Sequence, residues 1–207
     1  MKRLRLLGFA LPLAGIVFLL SSLLVGGASG GSSNHLYRWD IIHLSTLPPP
    51  ATTLPDGHAS ACAAPSCANM ITLTGSGTFR SNPGHPQGVT GGGTWTTVGA
   101  GAGSGTYEVT GFVSFELDPS GFLPSPPFTD GVTGVAADAR AGLAVLTIAY
   151  SDGAEGVLVV SCDLPGGSPP TIFEGITASK GFVDYWNRVA PESSAPFGNR
   201  TAFHEVR

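Results

Sequence analysis

Glu174, His43 and Asp40 are the side chains whose types could do acid–base work together. If residues 171–178 are extended, Glu174 shares a face with Ile172 and Ile176, whereas Glu108 and Glu116 lie on the polar side of their strand. A carboxylate on an apolar face loses hydration, which raises its pKa and suits it to hold a proton near neutrality. The same placement fits a carboxylate at a rim or paired with a neighbouring Arg. Lys180 is too far along an extended strand to be a direct partner. His43 shares a face with Trp39 and Ile41, which fits a hydrogen-bonded core histidine as well as a base. An enzyme of the barrel-mouth type (cyclase, isomerase or hydrolase) would need at least two of the three to converge in a concave pocket.

Other reaction chemistries fail on spacing. Gly101-Ala102-Gly103-Ser104-Gly105 lacks the Gly-x-Ser-x-Gly spacing of a nucleophile elbow and lies between predicted strands. Gly91-Gly92-Gly93 lacks the Lys-Ser/Thr and the helix that would hold a phosphate. His35, His43, His58, His85 and His204 show no i, i+2 or i+4 pair, and the cysteines lack zinc-site spacing, so no metal and no cofactor is expected. Asn199-Arg200-Thr201 matches an N-glycosylation acceptor pattern.

The favoured reading is therefore a non-catalytic module that binds a small apolar ligand or an extracytoplasmic partner. Its candidate binding residues are the aromatics Trp39, Trp95, Tyr185 and Trp186, which fit a core equally well. A structural cell-envelope protein is a further alternative.

Export rests on the first residues. Lys2, Arg3 and Arg5 precede the uncharged run 6–25, followed by Gly26-Gly27-Ala28-Ser29. A basic start, an apolar run and a small-residue exit make residues 1–28 a signal peptide or, if uncleaved, an N-terminal membrane anchor. Either places the remainder outside the cytoplasm. Membrane contact is then expected only through residues 6–25. Losing Lys2, Arg3 and Arg5 from ten basic residues leaves seven against 14 acidic ones. Such a balance excludes a nucleic-acid partner, which needs a basic footprint. In an oxidising compartment Cys62 and Cys67, five positions apart across Pro65, are the favoured disulfide, leaving Cys162 as a buried small hydrophobe.

These residues must be positioned by strands. With 30 Gly and 17 Pro among 207 residues, and only 12% charged, the chain suits a turn-rich β fold rather than a helical bundle. Residues 29–35 read as a tether, 36–190 as one β domain and 191–207 as a C-terminal tail with a short extension at 200–206. Strands are expected at 36–44, 58–63, 69–80 (interrupted by Gly75 and Gly77), 94–98, 106–117, 141–150, 154–162 and 171–178. On strand 106–117, Tyr107, Val109, Val113, Phe115 and Leu117 should share one face. The Pro-rich stretch 45–57 should carry no ladder, and 118–139 should be a long connection. The hairpin around Ser151-Asp152-Gly153 is apolar on both faces, so one face needs a helix, a long loop or a second subunit as cover. A short helix capped by Ser179, with Phe182, Tyr185, Trp186 and Val189 in one stripe, is the expected candidate. The expected architecture is all-β: an antiparallel meander barrel of about eight strands, with a two-sheet sandwich as the alternative.

At 71–79, 89–95, 143–162 and 173–186 the chain resembles a group of short exported bacterial proteins of unassigned activity. The resemblance spans most of residues 36–190 and implies a shared fold. It brings no catalytic residue, and it makes Cys162 a candidate for a shared structural role.

Overall fold

The computed structural model describes residues 34–81 and 88–207. The expected export segment 1–28 and tether residues 29–33 lie outside the described residues. In chain order the strands are β1 (Leu36–Leu44), β2 (Ala51–Leu54), β3 (Ala59–Cys62), β4 (Met70–Leu73), β5 (Ser76–Arg80), β6 (Thr90–Val98) and β7 (Gly103–Asp118). They continue as β8 (Phe128–Asp130), β9 (Ala139–Tyr150), β10 (Glu155–Cys162), β11 (Gly175–Lys180), β12 (Val183–Tyr185), β13 (Asn187–Arg188) and β14 (Arg200–Val206). A 3-10 turn spans Ala136–Asp138.

The fold is all-β, and its centre is a closed barrel of six antiparallel strands rather than eight. The ring runs β1–β5–β6–β7–β9–β14 and returns to β1. Its strands follow chain order round the ring, with the other strands inserted between them, and the first and last pair to close it: Trp39 lies opposite Phe203 and Ile41 opposite Thr201. Two arms leave the ring. β10, β11 and β12 extend from β9, while β4, β3 and β13 extend from β6.

Aromatic side chains from four ring strands fill the interior. Phe79 stacks on Phe112 at 5.0 Å, Tyr37 meets Phe115 at 4.8 Å, and Phe203 meets Phe115 edge-on at 5.0 Å. Such pairs contribute about 0.5–1.5 kcal/mol each beyond the area they bury. Trp39, fully buried, lies over the facing pair Gly77 and Gly91, where a side chain would collide with its indole. The glycines that interrupt the third predicted strand therefore make room for a large ring.

Several elements differ from the sequence expectation, each for a physical reason. On β7 the register shifts between Val109 and Gly111 and again between Phe112 and Ser114. Each bulge adds one residue, so Phe112 and Phe115 face the core while Val113 is exposed; Leu117, in phase with Phe115 near the end of the strand, is exposed as well. The helix expected after Ser179 is absent. Gly181 takes a left-handed φ of 57°, and β12 folds back on β11 with Lys180 opposite Val183. Tyr185 then points inward while Phe182 and Trp186 point out. The outer face of the β9–β10 hairpin consequently stays half-open among the described residues, with Val157 exposed.

Within 45–57, β2 does carry a ladder, antiparallel to the end of β1 and parallel to β8, because the prolines flank it rather than interrupt it. The 118–139 connection holds β8 and the 3-10 turn. Residues 191–207 are not a tail: β14 closes the barrel and is buried on both faces, which is why its sequence shows no alternation. Cys62 and Cys67 form a disulfide, and Cys162 is free and buried.

Candidate functional site

Glu174 immediately precedes β11, where β10 and β14 part. One carboxylate oxygen, Oε2, accepts the backbone N–H of Asp163, just beyond β10, at 2.6 Å. The other, Oε1, accepts the backbone N–H of Thr201 on β14 at 2.5 Å. Thr201 in turn donates its hydroxyl to the Ser161 carbonyl at 2.6 Å. The side chain thus bridges two strands that share no backbone ladder at this point. Burial pushes its pKa up to about 8, against the opposing pull of the two N–H groups and the Arg200 charge. At neutral pH the group is largely the neutral acid.

A cavity of about 260 Å3 opens at Glu174. Ile42 and Leu44 of β1, Leu47, Leu123, Phe128 of β8 and Leu164 form its apolar walls. Thr53, Asp163, Arg200 and Thr201 complete it. The outward residues of β1 supply one wall because β2 and β8 cover that face instead of leaving it to solvent. Arg200 donates Nη2 to the Glu192 carbonyl at 3.3 Å, while its Nε is buried without a partner. An apolar enclosure with a few fixed polar groups at one end is the usual construction of a small-molecule site.

The other acid–base candidates are elsewhere. Asp40 is buried and held by a two-pronged Arg38 contact, Nε to Oδ2 at 2.8 Å and Nη2 to Oδ1 at 2.7 Å. It lines a separate cavity of about 340 Å3 with Asp56, Thr74 and Ser76. His43 is half-buried on β1 opposite Leu54 and lines neither cavity. The three side chains therefore do not share a pocket.

The aromatic candidates do not line the Glu174 cavity either. Trp39, Trp95 and Tyr185 are buried in the core, and Trp186 is exposed. Trp95 donates Nε1 to the Thr106 carbonyl at 3.1 Å and packs edge-on against Tyr150, with Lys180 Nζ 4.3 Å above its ring. Lys180 also pairs with Asp152 across the sheet.

Asn199 is a correction to the glycosylation pattern. It is buried, its Oδ1 accepts the Ser60 N–H at 2.8 Å, and its Nδ2 donates to the Ala190 carbonyl at 3.2 Å. An amide committed to the backbone on both sides is closed to a glycan.

A buried polar hub was illegible in the sequence. Asp130 accepts from the Thr53 hydroxyl at 3.1 Å, the Val132 N–H at 2.9 Å and the Thr133 hydroxyl at 2.5 Å. His204 Nε2 lies 3.3 Å from its Oδ2. Burial opposes ionisation, yet these partners hold the Asp130 carboxyl below its usual range, and burial pulls the His204 pKa down. Asp130-Gly131 reads as a turn signal, which is the one trace the hub leaves in the chain. Among the described residues no cluster of His, Cys, Asp and Glu is arranged to hold a metal.

Comparison with known proteins adds no name to this geometry: no protein family, curated protein or solved structure matches the chain.

Proposed function

We propose that this chain is an exported, non-catalytic module that holds a small apolar ligand in the cavity beside Glu174. The observation that carries this reading is the cavity itself: an apolar enclosure with a buried acid at its polar end. Both oxygens of that acid are already engaged by backbone N–H groups, which favours a fixed anchoring role over proton shuttling. The basic and apolar start of the chain and the Cys62–Cys67 bond support an extracytoplasmic setting.

The test is saturable binding of a neutral, environment-sensitive dye, N-phenyl-1-naphthylamine, to the chain. One-site enhancement is expected, and Leu164→Trp or Leu123→Trp, which fill the cavity, should reduce affinity at least tenfold while the β circular dichroism is kept. Dye affinity unchanged in both folded variants would place the ligand elsewhere and end this reading.

A further inference from the structure

Arg200 carries a donor that the folded chain does not use. Its Nη2 is spent on the Glu192 carbonyl, but Nε is buried with no partner. Leaving a charged donor unsatisfied is costly, and more so in an apolar enclosure. Glu174 does not satisfy it: its oxygens accept from the backbone of Asp163 and Thr201, and no hydrogen bond joins them to Arg200 Nε. Asp163 is exposed at the cavity's edge, and desolvation raises its pKa against the opposing pull of the Arg188 charge. Arg188 also reaches the Glu174 backbone carbonyl at 3.4 Å. The polar end of the cavity thus sets a guanidinium that the fold leaves partly unsatisfied beside an acid.

We propose that the ligand of this cavity is a small apolar carboxylic acid, with its carboxylate on the Arg200 guanidinium and Glu174 and its apolar body against Leu44, Leu47, Leu123, Phe128 and Leu164. This rests on the cavity being the binding site. The Arg200 charge answers the ligand's charge, and a charge-assisted bond is stronger than a neutral one. Glu174 in its acid form donates its proton into the pair, so the two carboxyl groups share one proton rather than repelling. A phosphate ester would bring a second negative charge into walls that are mostly hydrocarbon, which disfavours it.

Glu174 faces Arg200 and Asp163, with the Cys162 thiol buried next to it on β10. Cys162 stays neutral, since burial pushes its thiol well up. The group that changes state near neutrality is therefore Glu174. Above about pH 8 it ionises and opposes the ligand's carboxylate, so affinity should fall, approaching tenfold per pH unit.

The experiment is displacement of N-phenyl-1-naphthylamine by octanoate, 1-octanol and octyl phosphate, followed from pH 6 to 10. Octanoate should compete at least tenfold better than either analogue at pH 7 and weaken above pH 8. Arg200→Met should abolish the preference over octanol while dye binding persists. Arg200→Lys, which keeps the charge without the planar guanidinium fork, is the second variant should the first not fold, and it should lose most of the preference. Equal competition by octanoate and octanol overturns carboxylate recognition and leaves the cavity reading standing. Preference for octyl phosphate overturns it in favour of a phosphorylated ligand. Absence of dye binding overturns both readings.

Discussion

Glu174 is where a single residue sets a property of the whole chain. Its carboxyl titrates near 4.5 when unfolded and at about 8 when folded. Between those values the folded chain keeps a proton that the unfolded chain releases, so this group's contribution to stability is complete below pH 4.5 and is lost as pH rises toward 8. At about 1.4 kcal/mol per pH unit the total loss is on the order of 5 kcal/mol. Glu174→Gln cannot titrate, and it has one acceptor oxygen for two N–H groups, so one of Asp163 and Thr201 loses its partner. That costs about 1–3 kcal/mol at low pH. Urea unfolding of both proteins at a series of pH values should give curves that cross within the window, with the variant the more stable above pH 8. Parallel curves would show that the buried acid is not protonated in the fold.

At the scale of elements, the interior depends on glycine as much as on aromatics. A Cβ at Gly77 would sit 2.1 Å from the Thr90 carbonyl oxygen and 2.7 Å from the Trp39 indole nitrogen. Neither obstacle is the loose end of a side chain. Gly77→Ala should therefore cost about 2–3 kcal/mol or more by overpacking. Gly101, with φ of 80° and open space around it, should cost only about 1 kcal/mol on the same change. Guanidinium unfolding followed by tryptophan emission ranks the two, and a larger loss at Gly101 would contradict the packing argument.

The same residues show what the sequence could convey. Alternation made β1 legible, and the turn Ser151-Asp152-Gly153 between two apolar runs made β9 and β10 legible, each to within two residues. Strand β7 was legible in extent, but its bulges were not, since a bulge changes facing without changing composition. The helix expected from Ser179 failed because Gly181 turns the chain into a hairpin, which puts Phe182 at the turn, Tyr185 on β12 and Trp186 and Val189 beyond it. Glu174 stood out as an acid on an apolar face. Its partners Asp163, Arg200 and Thr201 did not, because they reach it through chain reversals and the return of β14 to β1.

Closure of the barrel is a property of the whole molecule and depends on its last strand. β14 pairs with β1 over seven residues, Leu36↔Val206 to Ile42↔Arg200, and with β9 only at Phe203↔Arg140 and His204↔Ala139. It also carries Phe203, which meets Phe79 and Phe115 inside the ring, and His204 beside Asp130 outside it. Removing it would leave β1 with an unpaired edge, expose the aromatic interior, and strip Glu174 of the Thr201 N–H. A chain ending at Asn199 should therefore lose its cooperative unfolding transition and its near-ultraviolet dichroism together. A chain ending at Val206 loses only Arg207 and its surface pair with Asp138, so it should unfold within about 1 kcal/mol of the full chain. Adding residues 200–207 back as a separate peptide should restore the near-ultraviolet signal if the strand docks into the open seam. A chain ending at Asn199 that still unfolded cooperatively, with its aromatic signal intact, would mean that the ring does not require the strand that completes it.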